Sequence, residues 1–520
     1  MENSKDRILW VDDEIDLLKS HVLFLKSKGF DVETATNGKD AIKKVQEENF
    51  DLFLVDEIMP GLSGLETLEE VKDQEPGLPV VMITKNEEES LMEEAIGKKI
   101  SDYLTKPVNP SQILMVCKKI LEKEKISSEK ISQDYIKEFR EISNRLYANL
   151  DYEDWIEIYE KLAEYEVEFD DHPDLGMKDM FQEQLTNCNI EFGKFIEKNY
   201  QDWLEEDIHF RPDLSPDIMK KYVFSKLEDD QKVLFIVVDC MRLDQWLTFS
   251  SLLYDYFDIK TNYYYSILPT ATPFSRNSIF SGKHPAGFYD DYPDIFENSD
   301  TTMNLHEDEM LDDFLKREGL KSDISHKYVK VVDSEKGWQT EKTIKSHLDN
   351  NLISLVINFV DILAHRRSDS DFLKEIVPDE ASYRSVVRTW FKRSWIFSLL
   401  KKISNYDFKI VLTTDHGSIR VKNDVKVKGD RYTSPSVRFK YGTNLDVSPK
   451  HGLEVKEPEK YKLPRFGVNT NYIFSKEDFY FIYPTNYNKY KKEYNNTFQH
   501  GGISMQELIL PILELEPKGG

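Results

Sequence analysis

The sequence predicts an α/β chain in which two parallel-sheet domains flank a helical stretch. Three observations carry this. Over residues 1–123, short apolar runs alternate with stretches of helical periodicity, the order expected of a parallel sheet. The alternation returns over residues 229–520, with apolar strands ending in acidic residues. Between them, residues 124–228 show apolar side chains at helical spacing and no strand-like run. At 520 residues the chain exceeds one ordinary core, which fits this division.

Composition narrows the function. The formal net charge is −26, which argues against broad binding to duplex DNA, since phosphate contacts need Lys and Arg. A local basic pocket for a phosphorylated substrate stays compatible with it. The three cysteines, Cys117, Cys188 and Cys240, are far apart and odd in number, so a reducing compartment is expected. The N-terminus carries charges where a signal peptide needs an apolar core. The apolar run Leu352–Val360 is far too short to span a bilayer. A cytoplasmic protein without membrane insertion is expected.

Within residues 1–123, the run Arg7–Val11 leads into Asp12-Asp13, and a helical pattern follows through Leu17, Leu18, Val22 and Leu25 to Gly29. Asp51–Val55 leads to Asp56, Pro79–Ile83 to Thr84, and Tyr103-Leu104 to Lys106-Pro107. Ligands of parallel sheets sit beyond the carboxyl ends of the strands, where all these polar residues fall. Three carboxylates meeting there repel unless a hard cation lies between them, and Mg²⁺ suits carboxylates plus water. A carboxylate beside Mg²⁺ can accept a phosphoryl group. Lys106 would offset the added charge and Thr84 would bond a phosphoryl oxygen. Taken singly, Asp-Asp after a strand is an ordinary helix cap; the order of the whole set decides. The run Asp56-Glu-Ile-Met59-Pro60-Gly-Leu-Ser-Gly64 resembles the D-x-x-M-P-x-x-x-G pattern of response-regulator receiver domains. That resemblance implies a flavodoxin-like fold with a five-stranded parallel sheet and Asp56 as phosphoacceptor. It also implies Mg²⁺ on Asp12, Asp13 and Asp56 with the backbone carbonyl of Ile58, and Thr84 and Tyr103 as switch residues. The implied partners are a sensor histidine kinase and a second copy of the chain in a phosphorylation-dependent homodimer.

In residues 124–228, the charged run Lys123–Lys130 lacks Pro and Gly and reads as a continuous helix. Ile131, Tyr135, Phe139, Ile142 and Leu146, then Trp155, Ile158, Tyr159 and Leu162, suggest a small helical bundle. Breaks fall near Pro173 and Pro212. Coupling device, dimer interface and plain spacer all remain open readings.

Residues 229–520 contain three apolar strands that end in carboxylates. Lys232–Val238 precedes Asp239, Leu352–Phe359 precedes Asp361, and Phe408–Thr413 precedes Asp415-His416-Gly417. His365 lies one helical turn beyond Asp361, on the same face. His500 precedes Gly501-Gly502, which permit close backbone approach. Imidazole with carboxylate favours Zn²⁺ over Mg²⁺, with Mn²⁺ possible. Six such ligands suit two ions, which would lower the pKa of a hydroxyl and stabilise a departing oxygen. Thr272 is the hydroxyl best placed for that role. It sits in the turn Pro269–Pro273, entering a segment that reads as a helix through Ser281, whose N-terminus favours phosphate. Thr before Pro is ordinarily a cap, and Asp-x-x-x-His recurs by chance; only the joint order is informative.

That order resembles the alkaline phosphatase superfamily, most closely its PglZ-domain branch. The resemblance rests on Val237-Val238-Asp239-Cys-Met-Arg242, Pro269-Thr-Ala-Thr272-Pro with Ser281-Gly282, Asp361-x-x-x-His365, Asp415-His416-Gly417 and His500-Gly-Gly. It implies an α/β/α fold, one zinc on Asp361, His365 and His500, and another on Asp239, Asp415 and His416. Thr272 would be both ligand and nucleophile. A receiver, helical bundle and PglZ domain in series further resembles response regulators associated with type IX secretion. Thr272 cannot become the formylglycine of sulfatases, and no Arg gripping a free monoester phosphate is identifiable, so a phosphodiesterase is expected. An oligonucleotide or cyclic nucleotide is the expected substrate, with Tyr263–Tyr265 stacking bases and Arg276, Arg431, Arg438 and Lys440 near phosphates. The competing reading is a signalling adaptor that keeps the metals as structure and binds a sigma or transcription factor.

Overall fold

The computed structural model describes residues 6–75, 77–85, 100–172, 176–296, 304–320, 324–369, 371–428, 434 and 436–518. The chain forms two compact units, Met1–Ile136 and Lys137–Gly520.

The first unit is a five-stranded parallel sheet of β1 (Arg7–Val11), β2 (Asp31–Ala35), β3 (Leu52–Asp56), β4 (Val80–Thr84) and β5 (Asp102–Thr105). The strand order is β2-β1-β3-β4-β5. Alternate residues enter opposite cores. Leu9, Val11, Phe53, Val55, Val80 and Met82 face one. Ile8, Trp10, Leu52, Leu54, Val81 and Ile83 face the other. Both faces being covered, the inner strands β1, β3 and β4 read as nearly unbroken apolar runs. The helices α1 (Lys19–Ser27), α2 (Gly38–Glu47) and α3 (Gly64–Gln74) belong to this unit. A capping box starts α3: Ser63 Oγ accepts the Glu66 N–H at 3.3 Å, and the Glu66 carboxylate accepts the Ser63 N–H at 2.8 Å. Helix α4 (Pro110–Arg145) runs through the charged stretch without interruption.

The second unit carries α5 (Tyr152–Asp171) and α6 (Lys178–Trp203), then a six-stranded mixed sheet. Its strands are β6 (Val233–Val238), β7 (Phe257–Tyr265), β8 (His326–Val331), β9 (Leu352–Ile357), β10 (Lys409–Thr413) and β11 (Ile509–Pro517). Their order is β7-β11-β10-β6-β9-β8. The last four run parallel, while β11 is antiparallel to both β10 and β7. Every residue of β6 and β9 is buried, as central strands require. The helix expected after Thr272 is α8 (Thr272–Ser281), preceded by α7 (Leu243–Ser250).

The helices of the expected linker pack on the larger sheet. Residues from Lys137 onward form one body with the sheet. The aromatic stripe of α5 and α6 is satisfied by the sheet's edge strand: Trp203 meets the Tyr265 ring of β7 at 5.1 Å and Phe192 stacks on it at 6.3 Å.

Gly282 ends α8 with φ 62°, and a Cβ there would lie 2.2 Å from Cζ of Phe314 in α9 (Glu307–Arg317). Gly282→Ala should lower stability by about 2 kcal/mol or more, from overpacking and left-handed strain combined. Urea unfolding of the full chain checks this; a change below about 0.5 kcal/mol, the ordinary range for surface substitutions, contradicts it.

Candidate active site

Strand β6 lies between β9 and β10, so the carboxyl ends of three parallel neighbours form one edge. Asp239 follows β6, Asp415 and His416 follow β10, and Asp361 lies in the first turn of α10 (Phe359–Asp369) after β9. His365 is the next turn of α10. His500 arrives on the short strand Phe498–Gln499. Its two glycines are needed: a Cβ at Gly501, whose φ is 116°, would lie 2.3 Å from Phe439 Cδ1, and one at Gly502 would lie 2.5 Å from the Ser475 carbonyl.

The six side chains form two groups. Ligand atoms of Asp361, His365 and His500 lie within 4.8 Å of one another, as do those of Asp239, Asp415 and His416. The rings of His416 and His500 stack at 4.2 Å and join the groups. Thr272 Oγ1 lies 2.9 Å from His416 Nε2 and 3.3 Å from Asp239 Oδ1. His416 Nδ1 is 3.0 Å from the Gly417 carbonyl and His500 Nδ1 is 3.3 Å from the Thr270 carbonyl. Donation from Nδ1 leaves each Nε2 lone pair directed at the site.

These residues fit metal ions. The buried atoms Asp361 Oδ1 and Asp415 Oδ2 have no hydrogen-bond donor among the described residues. Burial, then the neighbouring Asp415, pushes the Asp239 carboxyl up to about 7, with Arg276 opposing. Burial and His416 hold the His500 imidazole well below its usual range. Burial also acts to raise Asp361, yet His365, His500 and His416 hold it below the usual carboxylate range. Three carboxylates and three imidazoles with ligand atoms this close make a donor set that suits a Zn²⁺-type ion.

The expected substrate contacts are corrected by the structure. Arg276 is 1% exposed and spans Asp239 Oδ2, at 2.6 Å, and Glu307. It braces a site carboxylate and is not presented to a ligand. Arg438 is buried on Glu507, with Nη2 2.5 Å from Oε2. Buried Lys440 donates to the carbonyls of Ser436 at 2.7 Å and Ser434 at 3.3 Å. Arg431 lies outside the described residues. Tyr264 and Tyr265 are wholly buried and offer no stacking face, while the half-buried Tyr263 bonds Glu160 at 2.8 Å. Sequence reasoning missed Glu307, which also accepts from Tyr328. It sits in the run Glu307-Asp-Glu309, which reads as a solvated first helical turn.

In the first unit, ligand atoms of Asp12, Asp13 and Asp56 lie within 4.8 Å of one another. Lys106 Nζ is 2.9 Å from Asp12 Oδ2 and 2.8 Å from Asp56 Oδ1. Burial raises the Asp56 carboxyl despite Lys106. A Cβ at Gly64 would lie 2.3 Å from the Asp56 carbonyl, which explains the glycine at that spacing. Thr84 Oγ1 donates to the buried Glu57 carboxylate, a partner the motif did not disclose. Tyr103 is 41% exposed, and the Ile58 side chain is exposed too.

Three family models match successive parts of the chain. The family described as BREX system PglZ alkaline phosphatase-like domain matches residues 218–515. The response regulator receiver domain matches residues 8–118, and the PorX response regulator linker domain matches residues 125–204. Among curated proteins, the alkaline phosphatase synthesis transcriptional regulatory protein PhoP of Bacillus subtilis is 33% identical over 124 residues, 24% of this chain and 51% of that protein. A CpxR homolog from Haemophilus influenzae is 36% identical over 135 residues, 26% of this chain and 58% of its own. The chain thus spans about half the length of these relatives. A solved CheY-like receiver from Methanospirillum hungatei JF-1 is 32% identical, covering 23% of this chain and 96% of its own, with a TM-score of 0.23. No helix among the described residues is long and apolar enough to cross a membrane.

Burial lowers the Lys440 ammonium to about 7. Between that value and the unfolded pKa near 10.4, the unfolded chain holds the proton and the folded chain does not, so stability rises with pH, by at most about 1.4 kcal/mol per unit. Lys440→Met should flatten the rise between pH 7 and pH 10 in urea titrations. An unchanged slope in the variant contradicts the assignment.

Proposed function

The chain belongs to the PglZ alkaline phosphatase-like family, here behind a response regulator receiver and a PorX-type linker, and on that footing we propose that residues 218–515 are a zinc-dependent phosphodiesterase controlled by phosphorylation of Asp56. One observation carries the reading: Thr272 Oγ1 stands beside Asp239 and His416, with the second ligand group joined through the stacked rings of His416 and His500. Asp361, His365 and His500 would hold one ion, and Asp239, Asp415 and His416 the other. Two zinc ions would supply positive charge at the phosphorus centre and lower the pKa of the Thr272 hydroxyl.

The chain's own residues do the rest. The Thr272 hydroxyl proton passes to solvent, its Oγ bonds to phosphorus as the P–O bond to the leaving group breaks, and the departing oxygen takes up a proton from water to leave as the alcohol. Water then hydrolyses the phosphothreonine ester. The positive end of α8 favours the phosphoryl oxygens. Arg276 holds Asp239 by one oxygen, leaving Oδ1 directed at Thr272. A nucleotide diester, cyclic or oligomeric, is the substrate class. Control of type IX secretion is the process proposed, on the order of receiver, linker and PglZ domain. A sensor histidine kinase would supply the phosphoryl group. The phosphorylated receiver would pair with a second copy, and a sigma factor is the competing downstream partner.

With bis(4-nitrophenyl) phosphate as probe, Thr272→Ala should lower kcat/KM by about 1,000-fold or more, on the scale seen when a nucleophile is removed, with bound zinc retained. Equal hydrolysis by both proteins would favour the adaptor. Beryllofluoride with Mg²⁺ should double the sedimenting mass of the wild type and leave Asp56→Asn unchanged; an unchanged wild-type mass contradicts control by dimerisation.

A further inference from the structure

We propose that α5 and α6 form a clamp that sets the registration of the site, with Tyr200 as the positioning residue for the turn that carries Thr272. The proposal rests on the phosphodiesterase reading and adds how that site is aligned.

Three site segments run back to these helices. First, the Leu268 N–H, just before the Pro269–Pro273 turn, donates to Tyr200 OH at 2.8 Å. Second, Asn189 on α6 grips the segment after His500-Gly-Gly: its Oδ1 accepts the Met505 N–H at 2.9 Å, and its Nδ2 donates to Gln506 Oε1 at 3.0 Å. Third, Arg384 of α11 (Glu380–Arg393) joins α5 to the first turn of α7, the helix that follows Asp239. It lies 2.8 Å from Glu166, 2.6 Å from Asp170 and 2.8 Å from Asp244, and Asp244 also pairs with Arg242.

The first two anchors meet at the site. Thr270 Oγ1 donates to the Gly502 carbonyl at 2.9 Å and accepts the Gly501 N–H at 3.1 Å, while the Thr270 carbonyl faces His500 Nδ1. A shift at Leu268 therefore moves Thr272 and His500 together. Tyr200 is almost wholly buried, and its ring packs on Trp203 and Tyr461 at 6.2 and 5.9 Å. Phenylalanine would keep those ring contacts and lose only the partner of the Leu268 N–H. A buried N–H without a partner pulls its segment toward another arrangement. Misplacement of a reacting group by about 1 Å costs on the order of 100-fold in rate, so even a fractional shift is visible in kcat.

The test uses the full-length zinc-loaded protein. Tyr200→Phe should lower kcat on bis(4-nitrophenyl) phosphate about 10-fold, part of the range for misplacement, with KM and bound zinc unchanged. Tyr480→Phe, which removes a hydroxyl bonded to the Lys491 carbonyl, should keep kcat. Hydrogen exchange supplies a readout independent of turnover. Amides of residues 266–275 should exchange faster in Tyr200→Phe, and those of 500–506 faster in Asn189→Ala, with the strands of the sheet unchanged. Unaltered kcat and unaltered exchange in these segments would overturn the clamp. If the wild type hydrolyses no diester, the phosphodiesterase reading fails, and exchange alone decides the clamp.

Discussion

Burying Asp239, Asp361 and Asp415 at the ends of adjacent parallel strands is the constraint that the larger unit must meet. Each carboxylate loses hydration, and their mutual repulsion grows in a low-dielectric interior. The chain's own compensation is small. One guanidinium, Arg276, reaches Asp239, and it is itself shared with Glu307. Three imidazoles complete the edge, with Nδ1 of both His416 and His500 turned toward backbone carbonyls. The remaining negative charge is directed at the space beside Thr272, where bound cations would remove the conflict.

The same constraint explains the weight of packing around the loops. A strand end can place a carboxylate, but the turns that follow must hold ligand atoms within tenths of an ångström. Gly501 and Gly502 let Phe439 and Ser475 press against the His500 loop. Thr270 ties that loop to the nucleophile turn. Helices α5 and α6 cover the edge strand β7 through Trp203 and Phe192 and reach both loops. A segment that follows the receiver in sequence is therefore built into the output unit.

Much of this was legible in the sequence, for a definite reason. Apolar runs followed by Asp mark buried strands with a polar residue at the carboxyl end, as β1 and β3 of one sheet and β6 of the other show. Asp12, Asp56, Asp239 and Asp415 could be named from it, while Thr272, His365, His416 and His500 were named from their local motifs and the order in which these occur. The fate of the arginines could not. Arg276 finds Glu307 and Arg438 finds Glu507, partners 31 and 69 residues away, and no local pattern separates such pairs from free cations. Tyr263–Tyr265 misled likewise, since an aromatic run says nothing about which layer covers it. Periodicity in residues 131–210 disclosed an apolar face, but not that β7 would be its partner. The hydrogen bond from Thr84 to Glu57 depends on side-chain placement that the receiver motif leaves open.

The central claim is that two ions occupy the edge formed by β6, β9 and β10. Anomalous diffraction at the zinc edge, from crystals grown with stoichiometric zinc, tests it most directly. The account predicts two peaks, one among Asp361, His365 and His500 and the other among Asp239, Asp415 and His416. No peak at either group, or zinc bound only elsewhere on the chain, would contradict it.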